Sequence, residues 1–319
     1  MTNPTKTSVI LPDSDLVSIR REFGPTFQQI AETDDRIVAV TADLGGSVNL
    51  SSFGESHPDR YFNCGVAETN MIGISAGLAM QGYMPFSITF GAFIGRAVDH
   101  IRQSIGHNRL KVNVVGSHGG VSNGKDGPSA HAIEDIAIFR AMPGFAVVVV
   151  ADANQLSAAL QASIDHPNPV YLRLYREPTP VFYGSDSSFE IGRANVLREG
   201  SDVTILACGP HVGYCLAWAD AFSDEFSAEV IDCHTVSPLD VETVVRSAEK
   251  TNAVITVEDH LVVGGLGSAA SEVLSEQRPT KLRRVGLAGY ATSGSYYELL
   301  DRVGLGLDSV KNAIVEVLA

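Results

Sequence analysis

Short apolar strands alternate with helical stretches along most of the chain, and this alternation is what most constrains its fold. Runs of β-branched and small residues, such as 37–41 and 203–207, are each followed by a loop and then by a helical pattern. Strands that alternate with helices at this spacing form βαβ units and a mostly parallel, doubly wound sheet. The sequence therefore predicts an α/β fold with two such domains. A proline-containing stretch without clear periodicity, 177–189, separates the two series.

The domain boundaries follow from this division. We expect a polar leader at residues 1–15, a first domain at 16–178, a linker at 179–190 and a second domain at 191–319. The leader lacks the basic start and apolar run of a signal peptide. The longest apolar runs are far too short to cross a membrane. The four cysteines form no C-x-x-C pair and are interpreted as reduced thiols. These features predict a cytoplasmic protein that does not bind a membrane.

The net charge of -14 bears on possible partners. A nucleic acid backbone needs a basic surface, so we expect no nucleic acid partner. Small anions need only a local cluster of donors and are not excluded by the overall charge.

Polar and aromatic side chains are predicted to gather at one edge of the first sheet, past the carboxyl ends of its strands. Open α/β sheets bind ligands at that edge. Taken singly, each residue has an ordinary explanation, since a histidine after a strand, a phenylalanine pair or an arginine is commonly a core or solvated residue. Their coincidence at one edge favours a site. The residues are Arg20, Ser47, Glu68, Phe90, Phe93, His118, Asp126 and Arg176.

Glu68 has two interpretations. It lies in the first turn of a helix that is predicted to begin near Ala67 and to continue through small and apolar residues to Met80, so this helix is expected to be buried. The ordinary interpretation is that the carboxylate complements the positive end of the helix dipole. The other is a carboxyl group held in an apolar site and available for proton chemistry. The neighbouring clusters favour the second.

The sequence contains two glycine-rich loops, which we interpret differently. The loop A-D-L-G-G-S at 42–47 follows a buried strand, and its glycines are expected to let backbone approach a ligand. The turn G-G-L-G-S at 264–268 partly matches a dinucleotide-binding loop, which is a weak signal when it stands alone. For this turn we favour a helix that packs closely on its sheet, because the second domain shows no convincing ribose-binding acid.

The motifs of the first domain together resemble the transketolase family. The resemblance rests on G-V-A-E-T-N-M at 65–71, T-F-G-A-F at 89–93, S-H-G-G-V-S-N-G-K-D-G-P at 117–128 and R-A-M-P-G at 140–144. It covers a pyrimidine-binding domain and a C-terminal domain, essentially the whole chain. The sequence looks most like the C-terminal subunit of a split transketolase.

The resemblance implies thiamine diphosphate as cofactor. The cofactor reacts through the C2 carbon of its thiazolium ring, and a carboxyl group hydrogen-bonded to the far nitrogen of its pyrimidine ring promotes that reaction. The family's residue for this role matches Glu68. Phe90 and Phe93 match two of three aromatic positions around the pyrimidine, while the third, usually Tyr, is Arg96 here. Asp43 matches a position near the cofactor that helps to connect active sites.

The resemblance also implies a sugar phosphate substrate. Family positions that hold it match Arg20, Ser47, His118 and Arg176, and His118 is expected to take part in catalysis. Asp126 matches the acid that reads the substrate's hydroxyl stereochemistry. A substrate-contacting His of the family is replaced by Ala130, with His131 one residue later. Either His131 substitutes for it or the substrate differs from the usual ketose phosphates, and we favour a different substrate.

The diphosphate half of the cofactor site is predicted to lie on another chain. The family binds diphosphate through Mg²⁺ with a G-D-G motif, which does not occur here. The resemblance therefore implies an N-terminal subunit that carries the metal ligands, with no metal site on this chain, in a heterotetramer of two plus two. The expected activity is transfer of a two-carbon ketol unit from a ketose to an aldose. The alternatives are a 1-deoxyxylulose-phosphate synthase, the β subunit of a 2-oxo-acid dehydrogenase, or a non-catalytic assembly subunit.

Overall fold

The computed structural model describes residues 15–319. Residues 1–14 of the expected polar leader lie outside the described residues. The strands of the described part are β1 (Leu16–Val17), β2 (Ile37–Thr41), β3 (Tyr61–Asn63), β4 (Met84–Phe90), β5 (Asn113–Ser117), β6 (Ala146–Val149), β7 (Val170–Arg173), β8 (Thr179–Pro180), β9 (Asn195–Arg198), β10 (Val203–Ala207), β11 (Ala228–Asp232), β12 (Thr235–Ser237), β13 (Ala253–Leu261) and β14 (Lys281–Leu287).

Helices separate most of these strands. They are α1 (Ile19–Ala31), α2 (Ser51–Ser56), α3 (Glu68–Met80), α4 (Gly91–Ile94), α5 (Val98–His100), α6 (Asp135–Arg140), α7 (Gln155–Asp165), α8 (His211–Ala221), α9 (Val241–Thr251), α10 (Leu266–Gln277), α11 (Tyr296–Arg302) and α12 (Leu307–Leu318). Helix α5 continues into a π-helical turn over Ile101–Gly106. None of the helices in residues 15–319 is long and apolar enough to cross a membrane.

The first sheet has the strand order β12-β6-β7-β5-β4-β2-β3. The pairs among β2 to β7 are parallel, as predicted. β12 comes from the second half of the chain and pairs antiparallel with β6 at the edge of this sheet. The sequence alone does not indicate β12, because three residues carry too little pattern to predict a strand.

The second sheet has the order β14-β13-β10-β11-β9. β10, β11, β13 and β14 are parallel, and β9 adds an antiparallel edge. Both sheets carry helices, so the fold is the predicted pair of doubly wound, mostly parallel α/β domains. The buried cores are continuous between them, since Leu206 and Ile231 of the second domain pack in the core of the first. Val121 and Ile133 of the first domain pack in the core of the second.

The glycine-rich turn before α10 packs that helix on its sheet. The two carboxylate oxygens of buried Glu258 accept hydrogen bonds from the backbone N–H groups of Leu266 (2.7 Å) and Gly267 (2.8 Å). A side chain on Gly265 would lie 2.0 Å from the Glu258 carboxylate, and one on Gly267 would lie 2.8 Å from the Thr256 hydroxyl. The donors that a dinucleotide phosphate would need are thus taken by the protein's own acid, which agrees with the prediction of a tight packing turn.

Candidate active site

The predicted site residues follow the carboxyl ends of neighbouring strands in the first sheet. The segment after β2 carries Asp43 and Ser47, α3 after β3 begins with Glu68, and β4 ends at Phe90. His118 directly follows β5, and Arg176 lies three residues after β7. Because these strands are parallel and adjacent, their carboxyl ends meet at one edge, where doubly wound sheets bind ligands.

Glu68 is buried at the start of α3 and is paired with Arg96. Its side chain is 4% exposed, and its Oε1 lies 2.7 Å from Nη1 of Arg96, whose side chain is 56% exposed. The sequence pattern marked Arg96 only as a missing aromatic residue and gave no sign of this ion pair. The buried acid of the site is therefore covered by a cation that can move into solvent.

Phe90 and Phe93, which were predicted to form an aromatic wall, lie side by side. The rings of Phe90 and Phe93 stack with centroids 5.3 Å apart, and the Arg96 guanidinium lies 4.6 Å from the centroid of Phe93. Phe90 also stacks on the imidazole of His118 at 3.6 Å. Contacts thus run without interruption from Glu68 through Arg96 and the two phenylalanines to His118. A flat heterocycle could stack on this wall beside the Glu68 carboxyl group, provided that Arg96 moves.

A basic cavity contains two of the arginines predicted for the site. It has a volume of about 300 Å³ and is lined by Ser18, Arg20, Arg21, Arg176, Glu177 and Pro178. Burial lowers the pKa of Arg20, and the neighbouring charges of Arg176 and Arg21 lower it further. The Nε of Arg20 is buried and makes no hydrogen bond. Three arginines against one acid, Glu177, give the cavity an excess of positive charge that is suited to an anion such as phosphate or sulfonate.

His118 is held in its neutral form. Burial, and then the charges of Arg20 and Arg176, lower its pKa to about 3. Its backbone has a left-handed φ of 62°, which is uncommon for a residue other than glycine. Its Nδ1 lies 2.9 Å from the Ser117 hydroxyl. His118 can therefore accept or donate a hydrogen bond as a neutral imidazole, close enough to the two arginines of the basic cavity for their charges to act on it.

Asp126 contacts Arg176, one of the arginines that line the basic cavity. Its carboxylate is exposed and lies 3.3 Å from Nη1 of Arg176, which also donates to the Asn123 side chain. Asn123 was not among the predicted site residues. Arg176 is thus oriented by two side chains of one loop.

Ser47 and Asp43 occupy different surroundings. Arg20 donates to the main-chain carbonyl oxygen of Ser47 at 2.5 Å, so this contact does not involve the predicted hydroxyl. Asp43 is exposed and exchanges hydrogen bonds with the side chain of Asn63, at 3.0 and 3.1 Å. Asn63 also accepts from the N–H of Gly65, so it ties the loop after β2 to the turn before Glu68. The position of Asn63 at the end of β3 was the only feature of the sequence that could have indicated this contact.

His131 directly follows a short 3-10 turn over Pro128–Ala130, and both His131 and Ala130 are buried. Burial lowers the pKa of His131, while a backbone contact with Gly124 and the charge of Asp126 oppose this shift. His131 therefore packs close to the loop that carries Asp126, and little of its ring is open to a substrate in this chain.

One face of α3 is exposed, although the whole helix was expected to be buried. Met71, Ile72, Ser75 and Ala76 are buried, whereas Asn70, Gly73, Gly77 and Met80 are exposed. Val66, just before the helix, is 74% exposed and Met80 is 71% exposed. An apolar helix that begins at the site and leaves a small-residue face uncovered in the single chain is suited to pack against another polypeptide.

The described residues include groups that suit the pyrimidine ring of the implied cofactor. Glu68, Phe90 and Phe93 offer a carboxyl group and ring faces to an aminopyrimidine. Within residues 15–319, no group of three His, Cys, Asp or Glu side chains is arranged to hold a metal ion.

Comparison with known proteins supports the resemblance seen in the motifs. Residues 16–181 match the transketolase pyrimidine binding domain, and residues 192–310 match the transketolase C-terminal domain. The chain is 42% identical to the 6-deoxy-6-sulfo-D-fructose transketolase subunit SqwH of Clostridium sp. (strain MSTE9), over 94% of each chain. It is 34% identical to an apulose-4-phosphate transketolase subunit of Phocaeicola vulgatus, over 95% of this chain and 98% of that one.

A solved structure of a split gene transketolase, described as an inactive beta4 tetramer, superposes with a TM-score of 0.86 at 38% identity. The superposition covers 95% of this chain and 98% of that chain. The chain therefore belongs to the transketolase family, from which it carries the pyrimidine-binding and C-terminal domains.

Proposed function

We propose that the chain is the C-terminal subunit of a thiamine diphosphate-dependent transketolase that moves a two-carbon ketol unit from a ketose to an aldose. The observation that carries this proposal is the continuous set of contacts from buried Glu68, through Arg96, Phe93 and Phe90, to His118. The cofactor supplies the nucleophilic carbon. This chain supplies a carboxyl group, an aromatic wall, a neutral imidazole and an anion site.

The substrate is expected to end in an anionic group. Besides burial, the charges of Arg20 and Arg176 lower the pKa of His118, so positive charge is concentrated where a substrate tail would enter. The names of two relatives give a sulfonated and a phosphorylated sugar, respectively. Both tails share the tetrahedral oxyanion that guanidinium groups recognise well. The replacement of the family's His by Ala130 and the burial of His131 favour a substrate other than the usual ketose phosphates.

A second subunit is expected to hold the cofactor's diphosphate and Mg²⁺. The uncovered face of α3 begins next to Glu68, so a partner seated there would complete the site from the opposite side. Exposed Val66 and Met80 provide apolar surface for such a contact. We propose a heterotetramer of two plus two subunits, and we expect this chain alone to be inactive.

Reconstitution tests the proposal. The chain is combined with an N-terminal subunit that contains the G-D-G motif, thiamine diphosphate and Mg²⁺, and ketol transfer from phosphorylated and sulfonated ketoses to aldoses is followed by mass spectrometry. Absence of transfer from every donor would refute the transketolase proposal. Consumption of pyruvate instead would favour a 1-deoxyxylulose-phosphate synthase or a 2-oxo-acid dehydrogenase subunit.

Glu68→Gln separates a catalytic from an assembly role. This variant should lose turnover by about a hundredfold or more, which is the usual contribution of a positioned acid or base. It should still form the complex on size exclusion, because Gln has nearly the same shape. Glu249→Gln, on the exposed side of α9, is the matched control and should be fully active. Wild-type activity in Glu68→Gln would indicate a non-catalytic assembly subunit.

A further inference from the structure

The glycine-rich segment 117–131, which we call the substrate loop, carries His118, Asp126 and His131 and is pressed against the second domain. A side chain on Gly120 would lie 2.1 Å from the Asp259 carboxylate. One on Gly124 would lie 2.5 Å from the Gly294 carbonyl oxygen, and one on Gly127 would lie 2.6 Å from the Ser293 hydroxyl. These glycines therefore make room for the second domain.

Hydrogen bonds join the same surfaces. Both carboxylate oxygens of Asp259 accept from the N–H of Val121, at 3.0 and 3.2 Å. The N–H of Gly294 donates to the carbonyl oxygen of Gly124 at 3.1 Å. Asp259 is fully buried, so its bonds to the loop are made without competition from water.

Arg173 holds Asp259 in place from the first domain. Its Nη2 donates to the carbonyl oxygens of Asp259 (2.9 Å) and Ala132 (2.6 Å). Its Nε pairs with the buried carboxylate of Asp135 at 2.7 Å. The substrate loop is thus fixed between a buried arginine of its own domain and a buried aspartate of the other.

The loop needs such support because its backbone is strained close to the site. His118 has a left-handed φ of 62°, and Gly120 has the same φ, which a glycine adopts without strain. A non-glycine residue in that region persists where the surroundings determine its conformation. Val121, the residue that Asp259 holds, directly follows Gly120.

We infer that Asp259 is a positioning residue of the second domain, which fixes the substrate loop and thereby orients His118 and Asp126 toward the substrate. The inference rests on the proposed function for the identity of the substrate, but the contact itself does not. It gives the second domain a role in the reaction although none of the predicted site residues lies there.

Asp232 is a matched control. It is also a fully buried aspartate of the second domain, and it accepts hydrogen bonds from Gln155 (2.9 Å) and Tyr183 (2.7 Å). Neither partner belongs to the substrate loop. A general loss of stability should therefore appear in both aspartate variants, and a loss of positioning only in Asp259 variants.

Steady-state kinetics of the reconstituted complex give the first test. Asp259→Ala should raise KM for the anionic ketose by about tenfold and leave the Kd of thiamine diphosphate unchanged, since uniform substrate binding is lost. Asp259→Asn should recover most of this loss, because its amide oxygen can still accept from Val121. Asp232→Ala should leave KM unchanged. Equal effects of the Asp259→Ala and Asp232→Ala changes on KM would overturn the inference.

Hydrogen exchange of the isolated chain gives the second test and needs no activity. Peptides within 117–131 should exchange faster in Asp259→Ala, and to a smaller extent in Asp259→Asn, but not in Asp232→Ala. If Asp259→Ala does not fold, the Asp259→Asn variant decides alone. Unchanged exchange in the deciding variant would refute the positioning role while leaving the proposed function intact. Faster exchange in that variant together with an inactive wild-type complex would refute only the proposed function.

Discussion

Removing the charge of Arg96 should strengthen cofactor binding. In the free chain Arg96 pairs with Glu68 at 2.7 Å and covers the face of Phe93, and these are the groups that a pyrimidine would contact. An ion pair with one partner more than half exposed contributes about 1 kcal/mol, and a cation–π contact at an exposed site contributes about 0.5 kcal/mol. Displacing Arg96 thus costs about 1.5 kcal/mol, which corresponds to about tenfold in affinity.

Isothermal titration of the reconstituted complex with thiamine diphosphate measures this effect. Arg96→Met keeps an apolar stem on Phe93 and removes the charge, so its Kd should be about tenfold lower than that of the wild type. Arg102→Met is the control, because Arg102 has only a loose, exposed pairing with Asp99 at 3.9 Å. An unchanged or higher Kd in Arg96→Met would refute the reasoning, since it would mean that Arg96 does not have to leave the site.

Three further outcomes are expected. Arg176→Ala should raise KM for phosphorylated or sulfonated acceptors by about tenfold and for free glycolaldehyde much less, as expected for the loss of one charged contact; equal effects would contradict the anion site. By NMR, His118 should stay neutral down to about pH 4 because its pKa is about 3, and phosphate bound at Arg20 and Arg176 should raise that pKa. In the unfolded chain the His118 ring takes up a proton near pH 6.5, whereas in the folded chain it does so only near pH 3. The free energy of unfolding should therefore fall as the pH falls from about 6.5 toward 3. Protonation of the ring at about pH 6 in the folded chain would contradict this. Gly120→Ala should lower the free energy of unfolding in urea by about 2–4 kcal/mol, because of its positive φ and the close carboxylate of Asp259; a loss below about 1 kcal/mol would contradict the packing described.

The regular elements could be predicted because their patterns are local. The strands Ile37–Thr41 and Val203–Ala207 have the bounds expected from their runs of β-branched and small residues. Strand β9 shows no alternation of buried and exposed residues, so no local pattern indicates it. Helix α11 has buried apolar residues at helical spacing, Tyr296, Leu299 and Leu300, but is only seven residues long. Strand β12 depends on a partner about 90 residues earlier in the chain, which no local pattern can indicate.

The site was predicted as a set of residue types at one sheet edge, but its contacts were not. That edge follows from parallel strand order, so the grouping of Glu68, Phe90 and His118 could be foreseen. The Arg96–Glu68 pair depends on side-chain direction across two segments. Gly45 was expected to let backbone approach a ligand, yet a side chain there would lie 2.2 Å from the Tyr61 hydroxyl, so this glycine makes room for the protein itself.

The antiparallel strand β12 has a consequence for dividing the chain. Thr235–Ser237 covers the edge of β6, whose residues Val147 and Val148 are fully buried. A fragment cut within 179–190 would keep β6 but lose its cover, leaving an apolar edge strand with unpaired N–H and C=O groups. Such an edge is a template for intermolecular pairing. A first domain expressed alone should therefore aggregate unless a separate peptide strand replaces β12, and the two domains have to be produced as one polypeptide.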